Sequence, residues 1–508
     1  MSEATPPASR ASVRDWVGLA VIALPCMVYA MDMTVLNLAL PVISAELRPS
    51  AAQLLWMIDI YSFLVAGFLI TMGNLGDRIG RRKLLLIGAA AFGAASWVAA
   101  YSDSAEMLIA LRALLGVAGA TLAPSTMSLI RNMFHDEDQR RFAIGVWIAS
   151  FSLGAAIGPL VGGVLLQWFH WGSVFLVAVP VMALLLVLGP LLLPEFRDPA
   201  AGPLDPLSVL LSLLAVLTAV YGIKTIATDG LVAEACLPLL LGLATGGLFV
   251  RRQMHLAHPL LDIGLFRQPR FAAALAAYAL SGLAMFGVYI FITQYLQVVR
   301  GLDPLRAGLV TLPWALAFVV GSLFAPRLTR HGSPLRIFVA GQLTAVVGFL
   351  MLLCVDSASG LPWLVAGMVT MGLGMAPVFT LGNEIIITSA PPERAGAASA
   401  LSETVAELSG ALGVAVLGSV GVAWYQARVL AAVPNGLPAP AVEAASETIA
   451  GALHVAASLG GADGAAFAGL ARLAFVESLH LVTLAGAGVI ALTCAVTARL
   501  LARGAAAG

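Results

Sequence analysis

Asp32 stands near the middle of the first long apolar run, Trp16–Ile43, within Met31-Asp-Met-Thr-Val-Leu-Asn-Leu-Ala-Leu-Pro41. A carboxylate at the centre of a bilayer costs about 2.5–3.5 kcal/mol on insertion-derived scales, so its default reading is an ion or substrate path lined by water. Glu403 and Glu407 make a second acidic centre in a later apolar run. Four residues apart, they share one face of a helix, where one charge and one proton are more favourable than two full charges. At about 1.5 Å per residue, Asp32 lies roughly 24 Å into its helix, and Glu403 and Glu407 roughly 12 and 18 Å into theirs. Acids from opposite halves of the chain thus approach one level. The chemistry they offer is exchange of a proton for a cation. Asp59 and Arg112 share a depth of about 9 Å below the far ends of their helices, which predicts that they pair. Glu384, near a helix end, reads as an interface or latch residue, and Lys224 as a lysine that snorkels to the surface.

Aromatic and amide side chains could complete a cavity for a flat organic cation through cation–π and apolar contact. The candidates are Tyr29, Trp56, Tyr61, Trp147, Tyr278, Phe286, Tyr289, Trp314, Phe318 and Phe379, with Asn37, Gln294, Gln297 and Asn383 as neutral polar partners.

The elements that position these groups are membrane helices. The chain has 508 residues, 60% hydrophobic and only 11% charged, with a mean hydropathy of +0.96; a soluble domain carries about 25% charged residues. Apolar runs of spanning length fall near 16–43, 53–75, 83–101, 106–130, 142–166, 171–193, 207–227, 233–250, 271–298, 305–325, 336–355, 361–387, 395–425 and 476–501. The first is too long for a cleaved leader and is read as a retained helix. Twenty lysines and arginines fall in alternate connections that include Arg78, Arg81, Arg82, Lys83, Arg140, Arg141, Arg251 and Arg252, against five (Arg48, Arg300, Arg306, Arg428, Arg472) in the others. The positive-inside rule therefore predicts both termini in the cytoplasm. Residues 194–206 read as a proline-rich cytoplasmic linker and 426–475 as a large outside loop, whose amphipathic pieces around Val442–Leu459 are expected to lie as short helices near the membrane surface. The four cysteines lie in apolar runs and read as small buried hydrophobes. A net charge of zero gives no pointer to nucleic acid. Without a phosphate loop, metal cluster or nucleophile triad in the sequence, an enzyme or ATP-driven pump has little support. No metal or cofactor is expected, and the energy source would be a proton gradient.

Three motifs carry a resemblance. Gly73-Asn-Leu-Gly-Asp-Arg-Ile-Gly-Arg-Arg-Lys83, containing Asp77, Arg78, Gly80 and Arg81, resembles the signature loop of the major facilitator superfamily. Gly321-Ser-Leu-Phe-Ala-Pro-Arg-Leu-Thr-Arg-His-Gly332 is a degenerate second copy, as two parallel halves require. Gly154-Ala-Ala-Ile-Gly-Pro-Leu-Val-Gly-Gly163, with Gly158, Pro159 and Gly162, is similar to the superfamily's antiporter motif. Together with Asp32–Pro41, Trp56–Tyr61, Arg112–Gly119, Pro124–Arg131, His170–Pro180, Leu261–Phe266 and Ser402–Leu408, these motifs resemble the fourteen-helix drug:proton antiporters that export quaternary ammonium compounds, dyes and biguanides.

The resemblance implies an all-α membrane fold of two six-helix bundles, 1–200 and 256–508, with two inserted helices in 201–255. It implies a conformational latch at Gly73–Lys83 and proton or substrate coupling through Asp32, Glu403, Glu407, Asp59 and Arg112. The partners would be small lipophilic cations, protons and the bilayer of the bacterial inner membrane, with no nucleic acid, and the protein would act as a monomer. Alternatives on the same fold are export of a natural product, lipid or siderophore; a non-transporting receptor or scaffold is disfavoured by its buried acids.

Overall fold

A computed structural model of the chain describes residues 10–49, 51–198, 202–230, 232–329, 333–357, 360–391, 395–433 and 437–506. These residues form helices and contain no strand. In hydrocarbon no water is available to satisfy exposed backbone groups, so each span closes its hydrogen bonds within itself. Among the described residues fourteen helices are long and apolar enough to cross a membrane. They are α1 (Val13–Leu36), α2 (Trp56–Ile79), α3 (Arg81–Ala99), α4 (Ala105–Met133), α5 (Glu137–Trp168), α6 (Ser173–Leu192) and α7 (Pro206–Ile226). The series continues with α8 (Ala233–Gln253), α9 (Pro269–Val299), α10 (Leu305–Leu328), α11 (Arg336–Cys354), α12 (Leu361–Thr388), α13 (Ala395–Leu430) and α14 (Gly461–Arg499). An even number of crossings returns the chain to its starting side, called the terminal face below.

In the first part of the chain α1 packs on α5, α2 on α4 and α3 on α6; in the last part α9 packs on α13 and α12 on both α10 and α11. The two groups meet where α2 lies on α13 and α5 on α10. Between them in sequence, α7 and α8 form a hairpin, and α7 lies against both α2 and α13. Asp205 caps α7, accepting from Ser208 N at 3.0 Å and from Arg252 Nε of α8 at 2.6 Å.

Two details were not legible in hydropathy. α4 is broken into Ala105–Gly119 and Leu122–Met133, because Pro124 has no N–H to return to the Ala120 carbonyl. The expected loop 426–475 is shorter at both ends: α13 runs to Leu430 and α14 begins at Gly461 instead of near 476, while the short helices expected between them cover Ala439–Glu447 and Ile449–Leu459. Its alanine-rich segment is too weakly apolar to read as a span but has high helix propensity. Phe467 and Ala471 bury there as the second short helix packs on α14.

Candidate functional site

Asp32 is 7% exposed and paired: Arg112 Nη1 of α4 donates to its Oδ2 at 2.5 Å. Arg112 Nε also donates to the Met57 carbonyl of α2 at 3.2 Å, and the guanidinium lies 4.5 Å from the Tyr61 ring centroid. One side chain therefore joins α1, α2 and α4. The glycines of α5 hold Asp32 in this position. A Cβ on Gly154 would run into the Met27 carbonyl and one on Gly158 into Thr34 Oγ1, so only small residues let α5 lie flat on the α1 segment that carries the acid. Farther along, a Cβ on Gly308 of α10 would meet Pro159 and one on Gly163 would meet Leu305 of α10, and Gly162 is buried.

The expected pairing of Asp59 with Arg112 is not formed. Asp59 pairs with Lys224 of α7, which also lies 4.7 Å from the Phe63 ring centroid. Depth along a helix sets the level of a residue but not the direction it faces: Asp59 faces the inserted hairpin, while Arg112 turns to Asp32. Lys224, expected only to snorkel, ends on this acid.

Glu403 and Glu407 are half-buried on α13, although the aromatic residues around them are buried. Both lie within electrostatic reach of Tyr29 of α1 and Tyr278 of α9. Glu407 also reaches Tyr61 and Lys224. Tyr61 is in turn within reach of Asp32 and Arg112. Tyr61 thus lies within reach of both acidic centres, and among the described residues neither glutamate has an ion pair.

The expected cavity aromatics divide into two stacks. Tyr29 lies 6.0 Å from Tyr61 and 5.6 Å from Phe151, which lies 4.6 Å from Trp147. Across the site Tyr278 meets Phe379 at 4.8 Å, Phe379 meets Phe318 at 5.9 Å, and Tyr289 meets Trp314 at 5.2 Å. Trp147 Nε1 donates to Thr126 Oγ1 at 2.9 Å. Trp56, Phe286 and Gln294 are not gathered into either stack. Trp56 is 43% exposed and turned to Phe63, Phe286 is 40% exposed beside Gly410, and Gln294 is exposed near the end of its helix. The Asn37 side chain lies outside the described residues. Asn383 Oδ1 accepts from Ser402 Oγ at 3.1 Å.

At the terminal face the two parts of the chain are tied together. Gly73 backs onto Gly396 and Ala400 of α13, and the buried Arg81 guanidinium, paired with Asp77, fills the space between Gly76 and Gly396. Gly80 has φ +112°, a conformation other residues rarely adopt, and Arg78 Nε donates to the Gly202 carbonyl at 2.7 Å. The segment after α6 straps this turn. Glu195 accepts from the amides of Arg82 and Lys83, each at 3.1 Å, and the Asp198 amide donates to the Asp77 carbonyl at 2.7 Å. Arg141 of α5 donates to Glu384 of α12 at 2.9 Å, and Arg131 of α4 donates to the carbonyls of Ile387 and Ala390. In the degenerate repeat, Thr329 Oγ1 lies 3.5 Å from Arg141 Nη1, while Arg330, His331 and Gly332 lie outside the described residues. Arg131, Arg141 and Lys224 were missed as site residues: the arginines had been absorbed into the topology count, and nothing in sequence pairs Lys224 with an acid.

The Major Facilitator Superfamily profile matches residues 22–414. The multidrug efflux pump LfrA of Mycolicibacterium smegmatis is 47% identical over 93% of this chain and 94% of its own length. The methyl viologen resistance protein SmvA of Salmonella typhimurium is 35% identical over 95% and 97%, and the tetracenomycin C resistance and export protein of Streptomyces glaucescens 30% over 97% and 92%. Among solved structures, the human organic anion transporter MFSD10 superposes with a TM-score of 0.58 at 14% identity, covering 94% of this chain and 99% of its own. A bacterial homologue of the human lysosomal transporter Spinster gives 0.57 at 16%, covering 96% and 97%. These two likenesses concern the fold. The protein is a multi-pass membrane transporter rather than an enzyme. By its profile and by relatives that match it over nine-tenths of its length, the chain belongs to the major facilitator superfamily, among that superfamily's drug efflux transporters.

Proposed function

We propose that the protein exports lipophilic cations (quaternary ammonium compounds, dyes and biguanides) across the bacterial inner membrane in exchange for protons, by alternating access and without a cofactor. The observation that carries this reading is the pair Glu403 and Glu407, half-buried among buried aromatic side chains from both parts of the chain. Deprotonated, the pair attracts a cation, and the aromatic faces bind its flat apolar body. A proton arriving from outside cancels the charge and releases the cation. The methyl viologen named for one relative is itself an organic cation.

With both termini in the cytoplasm, the ties at the terminal face close the cytoplasmic side, and this is the conformation that exchanges with the outside. The six-helix bundles 1–200 and 256–508 then rock about the acids to open it, each monomer acting alone. Everted membrane vesicles test the reading. Energised vesicles should accumulate ethidium, and a protonophore should abolish accumulation. Accumulation insensitive to the protonophore would exclude proton coupling, and transport confined to neutral or anionic drugs would exclude the cation.

A tetracenomycin export protein among the relatives favours natural-product export as the second reading. A vesicle panel containing a neutral polyketide beside ethidium separates the two.

A further inference from the structure

The inserted hairpin places a positive charge beside the acids. Lys224 of α7 pairs with Asp59 of α2, lies 4.7 Å from the Phe63 ring centroid and is within electrostatic reach of Glu407 of α13. Helix register agrees. Gly73 packs between Gly396 and Ala400, and α2 and α13 run antiparallel with equal rise. About nine positions along each helix from that contact bring Glu407 level with Leu64. Independently, Leu408 packs in one cluster with Phe63 and Ala66 of α2 and Val216, Leu217 and Val220 of α7. The ammonium group thus pairs with an acid at the seam of three helices and acts through space on the glutamate of the central site. The Lys224 and Asp59 side chains are 36% and 30% exposed, so the pair is not sealed in the core.

We propose that Lys224 is a resident cation that sets the charge selectivity of the exporter. It occupies the position where the second positive charge of a dication would need an acid, and it repels that charge at Glu407. The inference rests on the cation-export reading above. The charged groups at the seam are Asp59 from α2, Lys224 from α7, and Glu407 with Glu403 from α13. With Lys224 present, Asp59 is neutralised and Glu407 offers its charge to a monocation. Without it, Asp59 and Glu407 would together hold a dication. A lysine that served only to fasten α7 to α2 would affect stability and not the ratio between substrates of different charge.

Full-length protein in detergent should be titrated with ethidium, a monocation, and with methyl viologen, a dication, by fluorescence and by displacement. Lys224→Met should raise affinity for methyl viologen relative to ethidium about five-fold, and Lys224→Arg should keep the wild-type ratio. Asp59→Asn/Lys224→Met should return the ratio to near that of wild type, because the second acid is then gone. Should the lone acid of Lys224→Met unfold the protein, Asp59→Asn alone carries the opposite sign: an unpaired lysine should weaken both ligands, methyl viologen more. Ratios unchanged across these variants, or raised equally in the double variant, would overturn the assignment of Lys224 while leaving cation export standing. A folded wild-type protein that binds neither cation would refute both.

Discussion

Arg112 Nη1 lies 2.5 Å from Asp32 Oδ2, and the two side chains are 2% and 9% exposed. The acid most conspicuous in the sequence is therefore neutralised within the first helices, whereas among the described residues the glutamates of α13 have no ion pair. Such a pair gains little net stability from its attraction after desolvation, but losing one partner strands the other in the core.

Asp32→Asn should consequently impair both folding and transport. A stranded Arg112 costs about 3–5 kcal/mol, whereas Asp32→Asn/Arg112→Gln removes both charges and should recover much of that loss. Thermal unfolding in detergent and ethidium efflux check the two effects separately. Wild-type stability and efflux in the single variant would show that the pair is dispensable.

Glu407→Gln should cut drug-induced proton release by more than half, and Glu403→Gln should reduce it or shift the substrate range, since only one of two neighbouring carboxylates readily carries the exchanging proton. Release measured in weakly buffered detergent solution on adding ethidium decides it. Undiminished release in both variants would remove α13 from coupling.

The fourteen spans, their order and the acids inside them were legible because apolar length and charge are local properties of a sequence. What packing decides was not. Asp59 and Arg112 share a depth, yet Asp59 faces α7 and Arg112 faces α1, since azimuth depends on which neighbour each helix meets. Trp56 and Phe286 had the composition of cavity residues but stand exposed on the outer faces of their helices. Helix formation over Gly461–Phe475 was hidden because its alanines are weakly apolar while strongly helix-forming. The contacts of Arg131 and Arg141 with α12 depend on closure of the terminal face, which no local pattern encodes.

Asp205 should anchor the inserted hairpin across the ordinary pH range. Its carboxylate is held well below the usual carboxylate value, first by the Arg252 guanidinium and then by Ser208. A depressed folded value means that the contribution is complete above the unfolded value, near pH 4, and is lost as pH falls toward the folded one. Asp205→Asn should therefore speed hydrogen exchange in the first turn of α7 at pH 5–8, with the difference from wild type closing only in strong acid. Equal exchange at neutral pH would show that the hairpin is held elsewhere.

Arg131 should govern how often the terminal face opens. Its guanidinium binds carbonyls at the end of α12, including Ala390 O at 2.7 Å, where the helix terminus leaves acceptors without intrahelical partners. These bonds exist only while α4 and α12 are together, so they stabilise the closed arrangement and contribute nothing to the open one. Hydrogen bonds to a charged group contribute about 1.5–3 kcal/mol, enough to change the open fraction roughly ten-fold or more. Arg131→Ala should shift the population toward opening at this face and slow the transport cycle, with little effect on ligand contacts in the central site. Pulsed electron resonance between spin labels on the terminal-face ends of α4 and α12 reads this directly. A longer distance should gain population in the variant, and a wild-type distance distribution would show that Gly73, Arg81 and the Arg141–Glu384 pair close the face without it.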